Sequence, residues 1–500
     1  MQTFTTEEAF SARKSQTTTS SFSALIIAGV LHALVIGGLA IWYLAGPEPK
    51  EPELIVSSPV GDLMQQVKPK KELSNVVKQA PAAPSSQMTK VITSRAAVSA
   101  IAVPDAPDMT LDTVDLGVGF GDGFGAGMGL GGDGFGSGGG PPKGSPLADR
   151  CSPKDRARRL AEGGGSPETE AAVVKGLEWL KTQQASDGSW GGSSKSAMTG
   201  LALLAYLGHC ETYDSPQYAE TVRKAIFFLA ELALNNDGKI TTREGHAWVY
   251  EHGIGTYAIC EAYSLLRYGK RKFLHIEQLK EAINMALPII IKGQNHDGGW
   301  VYEYEGSEWY KETTGKQGAT GNGDTSVAGW HMQALKAATL TGLEFKDLKR
   351  TIRSGIKFLQ GVQGPQGGFG YRNRGDRYSL AGIGALAQQM LSGSSSSIRR
   401  AVKFILDHEV QIGAPDACIY GWYYGAQACF QRGGRDWEKW NTMFRDQAVA
   451  HQSPDGSWPF EGGEGAASSM AAGAGDAPVY RTSLFILMLE VYYRYLPATE

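Results

Sequence analysis

The sequence predicts an all-α fold, an α6/α6 toroid (a double ring of helix pairs), behind one transmembrane helix and a disordered Pro/Gly-rich linker. Three observations predict this fold. A turn motif recurs at intervals of roughly fifty residues, as in repeat architectures. Each copy follows an amphipathic helical pattern and precedes a second helix that is apolar on nearly all sides. Strand-like alternation with a period of two is almost absent from the sequence.

Composition limits the function classes. The chain has 500 residues and a formal net charge of −3. Because a surface that binds nucleic acid normally carries a strong basic excess, we expect no nucleic acid partner. None of the five cysteines sits in a Cys-x-x-Cys pair, so the pattern indicates neither a disulfide framework nor a zinc ribbon. No cofactor is expected.

The N-terminal segment predicts a membrane anchor. Residues 1–21 are a polar leader, and the stretch from Phe22 to Ala45 is almost wholly apolar and long enough to span a bilayer. Arg13 and Lys14 precede the span, and few basic residues follow it. The positive-inside rule therefore places the leader in the cytoplasm and the folded domain in the periplasm or another extracytoplasmic space.

Residues 46–164 predict a disordered linker between the anchor and the folded domain. They are rich in proline, serine and lysine without a period, and residues 117–144 form a Gly-rich tract. Such a composition cannot bury a core, so a flexible spacer is expected. The toroid is then predicted over residues 165–497.

The recurring turns predict structural contacts between neighbouring repeats. In each turn an Asp-Gly pair ends the preceding helix, since glycine accepts the left-handed conformation and aspartate caps backbone donors. The aromatic residue packs back over the turn, and the glutamine amide bonds exposed backbone or the next helix. The turn residues of the clear copies are Gln184, Asp187 and Trp190; Gln294, Asp297 and Trp300; Gln363 and Phe369; and Gln452, Asp455 and Trp458. Two weaker copies begin near residues 234 and 411, which makes six in all.

The second helix of each pair predicts an inner ring. A helix that is apolar on every side is buried on every side, which requires an outer ring around it. Six pairs give twelve helices and a closed ring. The inner helices are expected at residues 197–207, 252–266, 324–338, 379–391, 420–431 and 480–495.

The repeat turns resemble the QW repeats of squalene and oxidosqualene cyclases and of protein prenyltransferase β subunits, over residues 165–497. The whole plan resembles membrane-anchored bacterial proteins of that superfamily. The anchor, with His32 and the following Pro/Glu/Lys run, resembles TonB-type energy transducers. That resemblance implies a proton-driven motor as a partner, whereas Ala28, in place of the family's serine, is compatible with a plain anchor.

The cyclase resemblance implies an acid that protonates an alkene. Cyclases use an Asp-x-Asp-Asp motif, in which clustering and burial keep one carboxyl protonated. This chain has no Asp-x-Asp, and the nearest candidate is Asp324, followed by Thr, Ser and Val. Asp324 is a catalytic candidate together with His252, although an aspartate that opens a helix is also an ordinary N-cap.

The prenyltransferase resemblance implies a zinc site made of an Asp-x-Cys pair and a later histidine. Asp416 and Cys418 match the pair, but Arg481 stands where the histidine is expected. Because arginine does not bind zinc, the tetrahedral site is incomplete and no metal is expected. Tyr420, Trp422, Tyr424 and Arg481 remain as candidate substrate-binding residues at the mouth of the cavity.

Two functions remain open at the level of sequence. One is a non-catalytic binding or scaffold module whose cavity or rim holds a hydrophobic small molecule, a peptide or a glycan. The other is a divergent terpenoid cyclase or prenyltransferase-like enzyme that acts on an isoprenoid or lipid. The missing motifs favour the first.

Overall fold

The computed structural model describes residues 150–243, 245, 248–267, 275–318, 321–389, 396–414, 417–459 and 476–495. The predicted transmembrane span and the Gly-rich tract lie outside these residues. No helix in the described part of the chain is long and apolar enough to cross a membrane. Within the same residues the regular structure is entirely helical, apart from isolated bridges at the repeat turn that begins at Gln363.

Fifteen α-helices and one short 3-10 turn make up the described fold. The α-helices are α1 Pro153–Glu162, α2 Pro167–Gln183, α3 Lys195–Gly208, α4 Ala219–Asn235, α5 Trp248–Leu266, α6 Ile276–Lys292, α7 Glu308–Thr314, α8 Thr325–Leu340, α9 Leu348–Val362, α10 Tyr378–Gln389, α11 Ser396–Leu406, α12 Ile419–Arg432, α13 Gly434–Ala450, α14 Ala477–Leu489 and α15 Val491–Arg494. The 3-10 turn is Tyr302–Tyr304.

Six helices form a closed inner ring. Helix α3 packs on α5, α5 on α8, α8 on α10, α10 on α12, α12 on α14, and α14 packs back on α3. Nearly every residue of these helices is buried, as their sequences predict. Where two of them approach closely, glycine makes room: a Cβ on Gly382 of α10 would lie 2.5 Å from the backbone nitrogen of Gly425 on α12. The predicted α6/α6 toroid is confirmed.

The outer ring consists of α2, α4, α6, α9, α11 and α13, and each of these helices buries one face only. Helix α9 shows the pattern. Leu348, Ile352, Ile356 and Leu359 follow a spacing of three and four residues and are buried, while Arg353 on the other side is exposed. The outer helices therefore pack on the inner ring and expose their polar faces to water.

The repeat turns join each outer helix to the next one. The Gln184 side-chain amide donates to the carbonyl oxygen of Gly188 in its own turn and to that of Thr221 on α4. The Trp190 indole donates to the carbonyl of Leu180 at 2.6 Å and is fully buried. The same two kinds of contact recur at Gln294 with Trp300 and at Gln452 with Trp458, and Gln363 repeats the amide contact beside the buried ring of Phe369.

Three features differ from the sequence analysis. Helix α1 lies inside the segment assigned to the linker; Ser152 caps it, and it packs on α15. The predicted last inner helix is divided near Glu490 into α14 and α15. Cys151 and Cys210 form a disulfide, with their Cα atoms 5.0 Å apart. The cysteine pattern did not indicate this bond, because the fold brings together two cysteines that no spacing rule connects.

Candidate functional site

The six inner helices are parallel, so the toroid has two chemically different ends. At one end the helix starts meet: the carboxylate of Asp476, just before α14, accepts from the backbone nitrogen of Ser194, just before α3. At the other end the helix ends meet: the Gln389 amide on α10 donates to Ala428 O on α12. We call these the amino rim and the carboxyl rim. The positive ends of the helix dipoles lie at the amino rim.

Asp324 lies at the amino rim as the N-cap of α8. One carboxylate oxygen accepts from the backbone nitrogens of Ser326 and Val327, at 2.8 and 3.3 Å, and the side chain is fully buried. Burial raises the pKa of Asp324, although the Tyr371 hydroxyl and the two backbone donors oppose the rise. Asp324 is thus both a helix cap and a buried acid, so both interpretations made from the sequence remain compatible with its geometry.

His252, the other catalytic candidate, lies between the two rings. Its Nδ1 accepts from the backbone nitrogen of Ile240, and its Nε2 lies 3.2 Å from the carbonyl oxygen of Ala286 on the outer helix α6. Burial lowers the pKa of His252 to about 3, so the imidazole is neutral. Both ring nitrogens therefore bond backbone atoms, and no contact joins His252 to Asp324.

Aromatic side chains fill the middle of the inner ring. Trp330 on α8 packs against Tyr420, Tyr423 and Tyr424 on α12, with the Tyr423 ring stacked at 5.4 Å. Helix α10 separates α8 from α12 around the ring, so these contacts cross the inside of the toroid. The Tyr423 hydroxyl donates to the Gln333 side chain along the same line. Two of the predicted substrate-binding residues, Tyr420 and Tyr424, therefore belong to a central aromatic cluster.

This central cluster is closely packed. Trp330, Tyr423, Tyr424 and Tyr480 are each at most 1% exposed. The buried indole nitrogen of Trp330 has no hydrogen-bond partner among the described residues. These four side chains in the middle of the toroid are thus as buried as the core of a protein, while Tyr420 of the same cluster keeps 7% of its surface exposed.

Trp422 and Arg481 are on a different side of the inner helices from Tyr420 and Tyr424. They line one small cavity together with Trp458 and Phe485 of the last repeat. Burial lowers the pKa of Arg481 to about 10, and one of its nitrogens donates to Pro459 O at 3.4 Å. The four candidates at the mouth therefore fall into two separate pairs.

The candidate zinc ligands are only partly described. Cys418 is buried at the start of α12, where its sulfur accepts from the backbone nitrogen of Gly421 at 3.4 Å. Burial raises the pKa of its thiol. Asp416 lies outside the described residues. Within the described ranges, no group of three or more histidine, cysteine or acidic side chains could hold a metal ion.

Several residues of the amino rim were not singled out from the sequence. Asp476 accepts from Gly192, Ser193 and Ser194 and so ties α14 to α3. The hydroxyl of Tyr302 hydrogen-bonds that of Tyr371 and lies 3.3 Å from that of Tyr250. Tyr302 and Tyr371 each stand two residues after the aromatic residue of their repeat turns, Trp300 and Phe369. Tyr250 has no such position, so only the fold shows that the three tyrosines form one group.

The carboxyl rim holds a second buried polar cluster. Glu261 on α5 binds Arg494 of α15 at 2.7 Å and Arg150 at 2.9 Å. His209, at the end of α3, lies between Glu170 and Glu211. Cations near helix C-termini complement the negative ends of the dipoles. The interactions of this cluster hold α1 and α15 against this end of the toroid.

Comparison with known proteins gives a partial sequence match. A stretch of 144 residues is 28% identical to lanosterol synthase erg7A of Aspergillus fumigatus. The match covers 27% of this chain and 18% of the length of that enzyme. No family model matches the chain. The repeat turns and the closed double ring define a squalene/terpenoid cyclase-like α/α toroid, as the resemblance implied.

Solved structures that superpose on the chain are distant. The type II terpene cyclase MstE from Scytonema aligns with a TM-score of 0.41 and 13% identity, over 65% of this chain and 98% of that one. A GH76A alpha-1,6-mannanase from Salegentibacter sp. HEL1_6 aligns with a TM-score of 0.45 and 10% identity, over the same shares. Likenesses at this level do not extend to the activities of those enzymes.

Proposed function

We propose that this protein is a membrane-anchored, extracytoplasmic α/α toroid that acts as a non-catalytic binding or scaffold module. The observation that carries the proposal is the burial of aromatic side chains in the middle of the inner ring. Trp330, Tyr423, Tyr424 and Tyr480 lie there, and each is at most 1% exposed. A partner would therefore bind at a rim or on the outer surface.

The surroundings of Asp324 support the same proposal. Protonating an alkene requires a strongly donating acid, which cyclases obtain by clustering carboxyl groups. Asp324 is followed by Thr325, Ser326 and Val327, and one of its oxygens caps the backbone of α8. The cap role accounts for a buried aspartate at this position without any catalytic role.

The extracytoplasmic location rests on two independent features. Arg13 and Lys14 precede the apolar stretch 22–45, which predicts a cytoplasmic N-terminus. The Cys151–Cys210 disulfide fits an oxidising compartment. A reporter that is active only outside the cytoplasm, fused after Glu500, is expected to be active. Activity of a cytoplasm-only reporter at the same position would reject this part of the proposal.

The second candidate function is a divergent terpenoid cyclase or prenyltransferase-like enzyme. One observation favours it: Asp324 is a fully buried carboxyl whose pKa is raised by burial, close enough to Tyr420 and Tyr250 to influence their pKa values. A buried carboxylic acid can donate its proton to an alkene and become a carboxylate, and neighbouring aromatic rings stabilise the cation that forms. The central aromatic cluster would have to open before such a substrate could enter.

A turnover assay separates the two functions. The full chain, extracted in detergent, is incubated with squalene, and the extracted lipids are analysed by gas chromatography and mass spectrometry. The proposal predicts no cyclised product above the level given by the Asp324→Asn variant. A product that forms with the parent protein and disappears in Asp324→Asn would establish the enzyme and refute the non-catalytic module.

A further inference from the structure

Arg372 rests on a platform of two tyrosine rings at the amino rim. Its guanidinium carbon lies 5.8 Å from the centre of the Tyr302 ring and 5.6 Å from that of the Tyr371 ring. The hydroxyls of these tyrosines are hydrogen-bonded to each other, and that of Tyr302 also approaches the Tyr250 hydroxyl at 3.3 Å. Residues from three repeats therefore fix the surface on which the guanidinium lies.

The guanidinium itself is left available. Arg372 is exposed, and within the described part of the chain it makes no ion pair and donates no side-chain hydrogen bond. Stacking on an aromatic ring occupies the face of a guanidinium and leaves the N–H groups at its edge. That edge is a planar fork that matches the two oxygens of a carboxylate. The two tyrosine rings thus restrict the position of a guanidinium whose edge can bind a carboxylate.

The surroundings of Arg372 favour an anion. The loop 371–377 contains Arg372, Arg374 and Arg377 but a single acid, Asp376. That acid is already engaged, because its carboxylate accepts from the backbone nitrogens of Gln366 and Gly368. The parallel inner helices also direct the positive ends of their dipoles towards this rim. The loop 371–377 therefore offers an anion a net positive charge, whereas the loop of Tyr302 adds the acids Glu303 and Glu305.

We infer that the Arg372 platform binds a carboxylate side chain in an acidic segment of a partner protein. This inference rests on the proposed binding function and specifies the kind of partner. Tyrosine and arginine are the residue types that concentrate binding energy in protein interfaces. A sugar would need a bare aromatic face, and Arg372 lies over both rings. An acyl chain would need exposed apolar surface, and the one large exposed hydrophobic residue in the described chain is Val174, on the outer helix α2.

The test measures binding of a fluorescein-labelled hexaglutamate peptide to the full chain in detergent at low salt, by fluorescence anisotropy. Arg372→Gln is expected to weaken binding by about tenfold or more, the effect of losing a charge-assisted pair. Arg372→Lys keeps the charge but loses the planar fork, so it is expected to weaken binding by an intermediate factor. The matched control is Arg353→Gln, which removes an exposed arginine from the outer helix α9 and is expected to leave the affinity unchanged.

Four results would overturn the inference. The first is that hexaglutamate does not bind, and the second is that hexaglutamine binds as tightly as hexaglutamate. The third is that Arg353→Gln weakens binding as much as Arg372→Gln does. The fourth is that inorganic phosphate displaces hexaglutamate at a far lower concentration than acetate does, which would indicate a phosphate site. Failure here is distinct from failure of the proposed function. If hexaglutamate does not bind and squalene is not converted, the non-catalytic module stands without this partner; Asp324-dependent conversion refutes the module itself.

Discussion

The side-chain amide of Gln452 donates a hydrogen bond to the carbonyl oxygen of Ala172 at 2.8 Å, across 280 residues of sequence. Gln452 lies in the last repeat turn, and Ala172 lies on the first outer helix. The same amide donates to Gly456 O within its own turn. Gln184, Gln294 and Gln363 make the equivalent pair of bonds, one within their own turn and one to the next outer helix along the chain. The contact that joins consecutive repeats therefore also closes the ring.

Removing the ring-closing amide is expected to destabilise the whole toroid. Gln452→Ala removes both of these side-chain hydrogen bonds, which should lower the free energy of unfolding by about 1–3 kcal/mol. Gln360→Ala, on the exposed face of α9, is the control and should change it by less than about 0.5 kcal/mol. Chemical denaturation of both variants measures the difference. Equal stability of the two would mean that Gln452 does not hold the ring closed.

The buried tryptophan of the first turn is expected to contribute more. Trp190 is fully buried and donates its indole N–H to Leu180 O, so Trp190→Ala should lower the free energy of unfolding by about 3–5 kcal/mol. Trp190→Phe keeps most of the ring volume and should lose less. Denaturation monitored by circular dichroism gives both values. A loss below about 1 kcal/mol for Trp190→Ala, the range of surface changes, would contradict a buried contact between repeats.

The glycine of the repeat turn that begins at Gln294 is expected to be irreplaceable. Gly298 has φ +89°, and a Cβ there would overlap the carbonyl oxygen of Ser354 on α9. Gly298→Ala should therefore destabilise the protein by about 2 kcal/mol or more. Gly361→Ala is the matched control, because Gly361 is a helical glycine with open space around its missing Cβ. That change should stabilise by about 0.5–1 kcal/mol, and opposite signs in thermal melts are the expected result.

The disulfide is expected to stabilise the domain. The bond between Cys151 and Cys210 spans 59 residues, and replacing both cysteines by serine should lower the free energy of unfolding by about 2–4 kcal/mol. Cys260, Cys418 and Cys429 are buried and should resist alkylation in the native protein. Mass analysis of alkylated native protein checks this. Alkylation of Cys151 and Cys210 without prior reduction would show that the bond is absent.

Stability is expected to fall at alkaline pH because of His209. Burial opposes its protonation, but hydrogen bonds to Glu170 and Glu211 outweigh burial and raise the pKa of His209 from 6.5 to about 9. A raised folded-state pKa means that the stabilisation is complete below pH 6.5 and is lost as pH rises through about 9. His209→Gln should remove this part of the pH dependence. Parallel stability curves for parent and variant between these values would contradict the account.

The fold could be read from the sequence because its signals are local. Gln184, Asp187 and Trp190 mark a turn by their spacing alone, and the apolar helices that follow the turns were predicted to within a few residues at most ends. Their burial on every side required a second ring, and the closed contact of α14 on α3 confirms that ring.

The site was less accessible to sequence reasoning, because its groups are assembled by tertiary structure. Cys151 meets Cys210 only because both lie at the carboxyl rim. Tyr302 and Tyr371 meet through two loops of different repeats. The sequence placed His252 at the start of an inner helix. Its side chain points towards the outer helix α6 because it bonds the backbone of Ile240 and Ala286, and no pattern around His252 reveals these partners.

A native mass spectrum of the detergent-extracted full chain tests the packed, non-catalytic toroid most directly. If Trp330, Tyr423 and Tyr424 fill the middle of the ring as described, the spectrum should show the 53.6 kDa chain without a bound isoprenoid. The control is the Trp330→Ala variant, in which a cavity opens and added squalene should bind more readily than to the parent. One isoprenoid bound per parent chain, carried through purification, would contradict the account.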